Sequence, residues 1–398
     1  MNFGRVVRAA GAFVAVAFLV ARASAQDLQQ DLAKFAETPA VSGYEQELAK
    51  EIRSRLAKFK PQIDTLGDVI VTVGSGAPNR AIATPMDEDG YIVSGITPDG
   101  YIRVQRLPQT APNPVFDQLH AAQPISIRTR SGKIVAGVVD GLSTHLQGGR
   151  INPPQANNLD DVYVDIGASS AADVKAAGVE LLDPLFIDRH LYEMGFERMT
   201  SPAIGDRFGC AALVEMLRQL NPSQVKGTLT VAFLAQQATG TRGIRRLLTT
   251  HQSNPFDEMI YVGRLLSRRA PLGGGRGGIG GRGQTDGQPE LQQPAPQTTA
   301  TGQPQAPQVQ LIEPKLPDGS GVLIGATNTA NKLAGFAAEL DSLAQQNHIT
   351  AAEDYSAPLL PAPNPNTVVV NPIVLPQRFA HIGIASRFPV TPAEVIDA

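Results

Sequence analysis

An apolar run that ends in two neutral amides constrains this chain more than any other stretch. The run Leu229–Ala235 is bounded by Gly227 and Gly240, and it is followed directly by Gln236 and Gln237. A short apolar run of this kind predicts a strand buried on both faces, as in a sheet flanked by helices. Ligands and catalytic groups gather at the carboxyl ends of such strands. The two glutamines therefore stand where chemistry is expected, although neither side chain can ionise.

Composition excludes several classes of protein. The chain has 398 residues, of which 42% are hydrophobic, and a net charge of −3. It is long enough for a sizeable core and for more than one folding unit. The absence of a strong basic field argues against nucleic acid as a partner. Cys210 is the single cysteine, so the chain can form no internal disulfide and no cysteine-rich zinc site.

Residues 1–25 are interpreted as a signal peptide. Arg5 and Arg8 precede an apolar run over residues 9–21, and Ala23-Ser24-Ala25 fits a small-residue cleavage site. We expect cleavage near Ala25, a periplasmic or secreted protein, and no stable membrane span after cleavage. An uncleaved anchor is the alternative.

The order of helical and strand patterns predicts one split domain with an insert. Helices and strands alternate over residues 26–88 and again over 162–398, which predicts a three-layer α/β domain. Short strands separated by turn signals fill residues 89–161. The fold class is therefore α/β, with an inserted small β-barrel domain over 89–161.

Residues 271–318 are rich in Gly, Pro and Gln and hold few large apolar side chains, so we expect them to be disordered. Arginines near the start of this segment suggest an RNA-binding tract as an alternative: Arg264, Arg268, Arg269, Arg276 and Arg282. A solvated flexible insert fits an exported protein of net negative charge better.

Eight short motifs, in order along the chain, carry a resemblance to a known family. They are Val41-Ser-Gly-Tyr-Glu, Leu66-Gly-Asp-Val-Ile, Met86-Asp-Glu-Asp-Gly, Ile96-Thr-Pro-Asp-Gly-Tyr-Ile-Arg, Val164-Asp-Ile-Gly-Ala-Ser, Ala203-Ile-Gly-Asp-Arg-Phe-Gly-Cys, Ala235-Gln-Gln-Ala-Thr-Gly-Thr-Arg-Gly and Leu375-Pro-Gln-Arg-Phe-Ala-His. The chain resembles the dinuclear-metal aminopeptidases of the tetrahedral, or TET, type, which include glutamyl aminopeptidases and cellulase M-like peptidases. The resemblance implies a three-layer, zinc-peptidase-like α/β fold, a peptide ligand, and a homo-oligomer formed through the β-barrel insert.

In that family a bridged pair of zinc or cobalt ions activates a water molecule. Carried over by position, the resemblance implies that the residues for this chemistry are replaced. Pro85 stands for the first His ligand, Gly205 for the bridging Asp, Gln236 for the general base, Gln237 for the adjacent Glu ligand, and Gly263 for a further Asp ligand. The family's final His is retained as His381.

These replacements have direct chemical consequences. Glutamine keeps the size of glutamate but cannot take a proton from water, and the loss of a positioned base alone costs about a hundred- to ten-thousand-fold in rate. Amide oxygens are poor partners for a divalent cation. Asp87, Asp206 and Arg207 are retained around the site. We interpret Asp87 as inherited support for a missing ligand, Asp206 as a helix cap, and Arg207 as a member of a structural ion pair.

Three hypotheses for function follow. The first is a catalytically inactive aminopeptidase homologue with a binding or assembly role and no metal cofactor. The second is an active hydrolase with a rebuilt site, holding zinc or cobalt through Asp87, Glu88, Asp206 or His381. The third is a structural partner in the cell envelope that acts through the flexible insert.

Overall fold

The computed structural model describes residues 25–109, 116–141, 162–266, 321–325, 335–354, 375–388 and 390–397. The α-helices in this part are α1 (Ala25–Glu37), α2 (Gln46–Arg55), α3 (Phe116–His120), α4 (Ala171–Ala177), α5 (Ile204–Gln219), α6 (Arg242–Thr250) and α7 (Phe336–Gln346). Short 3-10 turns cover Ala57–Phe59 and Pro222–Gln224.

The strands are β1 (Gln62–Ile63), β2 (Val69–Ser75), β3 (Asn79–Pro85), β4 (Tyr91–Ile96), β5 (Ile102–Arg106), β6 (Pro124–Arg128), β7 (Ile134–Gly141), β8 (Val162–Asp165), β9 (Pro184–Ile187), β10 (Tyr192–Met194), β11 (Arg198–Thr200), β12 (Gly227–Leu234), β13 (Glu258–Leu266), β14 (Val322–Gly325), β15 (Ala351–Asp354), β16 (Arg378–Arg387) and β17 (Val395–Asp397).

One large mixed sheet forms the centre of the α/β domain. Its strands lie in the order β1-β2-β12-β3-β13-β16-β17-β11-β10, and β14 joins β15 to the side of β16. Strands β12, β3, β13 and β16 are parallel neighbours. Because they run in one direction, their carboxyl ends meet at the same edge of the sheet, where ligand sites of α/β proteins form.

Helices cover both faces of this sheet, as the alternation of side chains along β12 requires. Val231 and Phe233 pack in the core cluster that includes residues of α1, α2, α5 and α7. Ala232 and Leu234 pack in a second cluster with residues of α6. Successive side chains of a strand point to opposite faces, so the strand is buried on both sides. The predicted buried strand and the three-layer arrangement are confirmed.

The insert is a closed barrel with the strand order β4-β5-β8-β7-β6-β9. Its own core includes Val93, Ile102, Ile125, Val139 and Val164. Closure leaves the barrel without an unpaired edge strand. This fits the inserted barrel that the short-strand pattern predicted.

The predicted end of the insert at residue 161 is wrong. Strand β8 pairs with β5 and β7, and β9 pairs with β4 and β6, so both belong to the barrel. The side chains of β8 alternate between buried and half-buried. Such alternation is typical of any half-covered strand, and it does not tell which sheet the strand joins.

Two other predictions meet the limits of the described residues. Helix α7 begins at Phe336, and residues 326–334 lie outside the described part of the chain. The predicted disorder over 271–318 and nearly all of the predicted signal peptide also lie outside the described residues.

A buried ion cluster ties the barrel to the sheet domain. The chain leaves the sheet domain at Glu88 and returns at Arg189, and these two side chains form a close ion pair. Arg207 of α5 approaches the same Glu88 oxygen at 3.5 Å. Arg189 also donates to the backbone oxygens of Ala36 and Pro202. One carboxylate, that of Glu88, therefore holds together the two chain segments that connect the barrel to the sheet domain.

Arg189→Ala tests this link, because it leaves a buried carboxylate with a single, more distant cation. Breaking a buried pair by removing one partner costs about 3–5 kcal/mol, and we expect urea unfolding to show a loss of that size. The matched control is Arg130→Ala, whose ion pair with Glu180 is exposed; such pairs contribute about 0–1 kcal/mol. Equal effects of the two substitutions would contradict the assigned role of Arg189.

Candidate functional site

The main candidate site is a cavity of about 210 Å³ between the barrel and the carboxyl edge of the sheet. We name it the junction pocket. The barrel side contributes mainly apolar residues, including Phe116, Leu185 and Phe186. The sheet side contributes polar residues: Asp87, Asp206, Gln237, Tyr261, Arg264 and His381. Six candidate site positions from the sequence analysis line this pocket together: Pro85, Asp87, Glu88, Asp206, Gln237 and His381.

Three carboxylates hold the loop that follows β12. Four consecutive backbone N–H groups donate to them: Ala235 to Asp68 at 2.7 Å, Gln236 to Glu45 at 2.8 Å, Gln237 to Asp87 at 2.9 Å, and Ala238 to Asp87 at 2.8 Å. Hydrogen bonds from N–H groups to an ionised acceptor are stronger than neutral ones. The retained Asp87 therefore positions this loop, which gives it a role without any metal ligand beside it.

The two glutamines are engaged with the loop and with α6. Gln236 has a positive φ of 51°, and its Oε1 accepts from Arg242 Nη1 at 2.9 Å. Gln237 Oε1 accepts from the backbone N–H of Ile244 at 3.2 Å. The first turn of a helix has backbone donors without helical partners, and Gln237 satisfies one of them. Both amides thus stabilise the turn after β12.

Burial raises the pKa of all three loop-holding carboxyl groups, Glu45, Asp68 and Asp87. It raises the pKa of Asp68 to about 7. Burial, followed by the nearby charge of Glu45, raises the pKa of Asp87 to about 7. A buried carboxyl group resists ionisation because the charged form loses its hydration. At neutral pH Asp68 and Asp87 therefore titrate instead of remaining fully ionised.

Arg264 brings a positive charge to the floor of the pocket. Its Nε lies 3.6 Å from Asp206 Oδ2, and its Nη1 lies 3.6 Å from Glu394 Oε2. Burial opposes the charge of Arg264, but the carboxylates of Asp206, Glu394 and Asp89 raise its pKa above the ordinary arginine value. The guanidinium is thus the cation of this part of the site.

Gly205 lies directly against Arg264 and Glu394. A Cβ atom at Gly205 would stand 2.7 Å from Arg264 Cβ and 2.7 Å from Glu394 Oε1. Neither contact leaves room for a side chain with both neighbours in place. The space beside position 205 is therefore occupied by these two residues.

Asp206 does not cap its helix, so that prediction is wrong. Helix α5 begins at Ile204, and its N-cap residue is Ala203, with a positive φ of 54° and no side-chain cap. Asp206 lies inside the first turn and accepts from the Arg264 backbone N–H at 3.4 Å. An N-cap role requires the residue before the first helical one. Arg207, by contrast, forms the expected structural ion pair through its contact with Glu88.

His381 lies within β16, level with Tyr261 of β13. The two rings form an edge contact at 5.1 Å between centroids. In the described part of the chain, its buried Nε2 atom has no hydrogen-bond partner. Burial lowers the pKa of His381 to about 4, so the imidazole is neutral at pH 7. A Cβ at Gly263 would lie 3.7 Å from His381 Nε2 and 3.5 Å from Asp206 Oδ1. Gly263 and His381, both candidate positions from the sequence, are therefore neighbours.

The residues present do not fit a bridged metal pair. Within the described residues, no group of three or more His, Cys, Asp or Glu side chains is placed to hold a metal ion. Two divalent ions need several anionic ligands. Pro85 and Gly205 have no donor atom in their side chains, and Asp206 faces Arg264.

Sequence reasoning missed Arg264 and Glu394 as site residues. In the sequence Arg264 stands near the arginines of the low-complexity tract, but it belongs to β13 and lines the pocket. Its place inside a mainly apolar strand could have indicated a site residue, because a buried charged side chain needs a partner. Nothing in the sequence singled out Glu394, because its partners come from other elements.

Over about half of its length the chain is similar to known aminopeptidases. The profile of the M42 glutamyl aminopeptidase family matches residues 67–260. The glutamyl aminopeptidase of Lactococcus lactis is 29% identical over 225 residues, which cover 55% of this chain and 61% of the relative. The lysyl aminopeptidase of Pyrococcus furiosus is 31% identical over 222 residues, which cover 53% and 60%. The chain therefore matches less than two thirds of the length of these curated relatives.

Solved structures extend the likeness to almost the whole chain. An aminopeptidase from the archaeon Desulfurococcus kamchatkensis covers 94% of this chain and 90% of its own, with a TM-score of 0.67 and 22% identity. The TET1 peptidase of Pyrococcus horikoshii, which can assemble into a tetrahedron or a large octahedral shell, covers 92% and 94%, with a TM-score of 0.66 and 20% identity. The chain is similar to the M42 glutamyl aminopeptidases over residues 67–260 and has the fold of the TET-type aminopeptidase structures.

Gly205→Asp, which introduces the carboxylate that the resemblance implies at this position, should destabilise the protein, because Arg264 and Glu394 occupy the space that the side chain needs. Overpacking of a well-packed site costs about 1–3 kcal/mol, and burying a further negative charge beside Glu394 adds to it. Gly195→Asp is the control, since a Cβ at Gly195 meets nothing within 4 Å. Thermal melting of both variants checks this. A Gly205→Asp variant as stable as the control would contradict the packing described for the site.

Stability should fall as pH rises from about 4 to 7. An aspartate in the unfolded chain has a pKa of 3.8, and burial raises the pKa of Asp68 to about 7 in the folded protein, so over this window the unfolded chain has released a proton that the folded chain keeps. Asp68→Asn removes one contributing group and should make the decline in melting temperature shallower. Asp99→Asn, at an exposed turn position, is the control. Parallel pH profiles for Asp68→Asn and the parent protein would refute the assignment.

Proposed function

We propose that this chain is an exported member of the M42 family that does not hydrolyse peptides and that binds a small peptide-like ligand in the junction pocket. One observation carries the proposal. At the five positions where the family's chemistry needs ionisable or metal-binding groups, the side chains are Pro85, Gly205, Gln236, Gln237 and Gly263. None of these can act as a general base at neutral pH.

The carboxylates that remain are committed to other partners, which weighs against the alternative of an active hydrolase. Asp87 accepts from two backbone N–H groups of the loop after β12. Glu88 is paired with Arg189, and Asp206 lies beside Arg264. A rebuilt metal site using Asp87, Glu88, Asp206 or His381 would have to break these contacts and leave cations without partners. Such uncompensated buried charges are costly.

The pocket supports a ligand about the size of one amino-acid residue. Its volume of about 210 Å³ is below the roughly 300–1,000 Å³ of common small-molecule sites. Phe116, Leu185 and Phe186 offer an apolar wall to a side chain, and Asp87 and Asp206 also line the pocket while they keep their contacts with the loop and with Arg264. A carboxylate can accept several hydrogen bonds, so an amino group can bind there without displacing those partners, and the end of a peptide is the ligand class we favour.

Assembly through the barrel is part of the proposal. Ile134 and Val138 of β7 are exposed by 49% and 40%, which is high for apolar residues of a strand. The TET1 peptidase of Pyrococcus horikoshii assembles into large shells. Exposed apolar side chains on a barrel favour burial against another copy. We infer that the barrel forms a homo-oligomer contact.

Export rests on the pattern of residues 1–25, with two arginines before an apolar run and a small-residue cleavage site. In the described part of the chain, no helix is both long and apolar enough to span a membrane. The proposed mature protein begins near Gln26, and mass spectrometry of the cell-expressed protein measures that end directly.

Metal content and turnover test the proposed lack of hydrolysis. After incubation with zinc or cobalt and removal of free ions, we expect substoichiometric metal and no release of chromophore from leucine anilide. Gln236→Glu should change neither result, because the base alone has no metal to work with. About two ions per chain, as a bridged pair requires, or chelator-sensitive turnover would promote the hydrolase alternative.

Ligand binding is tested with the same preparation. Leucine amide, which has a free amino group, should raise the melting temperature, and N-acetyl-leucine should not. Phe186→Asp places a charge in the apolar wall and should abolish the shift. A matched exposed position on the same barrel, Ile134→Asp, should retain it. No shift with leucine amide, or an equal shift in Phe186→Asp, would exclude binding in this pocket.

A further inference from the structure

We propose that Arg264 supplies from within the chain the positive charge around which the carboxylates of the site are arranged, in place of an exogenous metal ion. This inference rests on the proposed function, since it accounts for a site that stays assembled without a metal pair. It assigns to Arg264 a structural and electrostatic role.

The position of the side chain is the first argument. Arg264 enters from β13 and passes against Gly205 of α5, where a Cβ atom would be 2.7 Å from its own Cβ. Gly205 is the position that corresponds to the family's bridging carboxylate. An aspartate side chain at position 205 and the side chain of Arg264 would therefore occupy the same space. In this chain Arg264 occupies it.

The charge balance is the second argument. Glu394 is completely buried, and its Oε1 accepts from Ser386 Oγ in a close contact. Asp206 is also buried, and Asp89 contributes a third nearby carboxyl group. Buried carboxylates need a cation or must take up protons. Among the described residues, Arg264 is the cation that approaches both Asp206 and Glu394.

The shape of the guanidinium is the third argument. Nε faces Asp206 and Nη1 faces Glu394, both at 3.6 Å, so a single planar group serves carboxylates from two separate elements. A guanidinium presents its donors in a fixed fork, whereas a lysine ammonium is a compact point charge. Lysine at this position would retain the charge but could approach only one carboxylate closely.

Three variants test the proposal by melting temperature. Arg264→Ala removes the charge and should lower the melting temperature by about 5–10 °C, since removal of one partner strands the buried acids. Arg264→Lys should lose less than half as much. Arg378→Ala is the matched control: Arg378 also joins two carboxylates, Glu258 and Glu339, but Arg80 remains to neutralise Glu258. Its loss should be smaller than that of Arg264→Ala.

Chemical rescue separates charge from packing. Methylguanidinium, at a low non-denaturing concentration, should restore most of the stability lost in Arg264→Ala and should not affect the parent protein. Tetramethylammonium at equal ionic strength should leave the stability of both proteins unchanged, because it is a cation without N–H donors. If Arg264→Ala does not fold in isolation, expression with methylguanidinium and the intact Arg264→Lys variant give the same comparison.

The outcomes are distinct from those of the proposed function. An Arg264→Ala variant as stable as the parent, or one that only tetramethylammonium restores, would overturn this inference while leaving the metal-free, inactive protein in place. Stoichiometric metal in the parent protein would instead refute the proposed function. Restoration of the stability of Arg264→Ala by methylguanidinium, but not by tetramethylammonium, supports Arg264 as the cation of the site.

Discussion

The buried carboxylate of Glu88, held by Arg189 and Arg207, is the interaction on which the rest of this structure depends. It stands where the chain leaves the sheet domain, and Arg189 stands where the chain returns from the barrel. A buried charge is tolerated only when it is paired and hydrogen-bonded. This requirement fixes the barrel against the carboxyl edge of the sheet, and the junction pocket is the space between them.

The same rule of charge compensation explains the pocket itself. On one side, Asp68, Glu45 and Asp87 receive consecutive backbone N–H groups and define the loop after β12. On the other side, Arg264 stands between Asp206 and Glu394. An aminopeptidase fold is thus retained with its acidic residues satisfied by backbone donors and by arginines. If the site holds no metal pair, as we propose, these contacts still compensate the charge of its acidic residues.

The sequence predicted those parts of the fold that local patterns determine. The apolar run of β12 and the short strands of the barrel have clear signatures, since burial on two faces or on one face leaves different periodicities. The predicted end of the insert was wrong because β8 has the same local pattern whichever sheet it joins. For the site, the sequence pointed to the positions carried over from the family but not to the arginine beside them. Arg264 was missed because its partner Asp206 lies 58 residues away, and only the fold brings them together.

A crystal structure of the mature protein, grown with zinc and measured at the zinc absorption edge, tests the central claim most directly. We expect the guanidinium of Arg264 between Asp206 and Glu394, Gln237 bound to the backbone N–H of Ile244, and no anomalous peak in the junction pocket. Two anomalous peaks beside Asp206, with Arg264 displaced from its carboxylates, would show a metal pair and contradict the account.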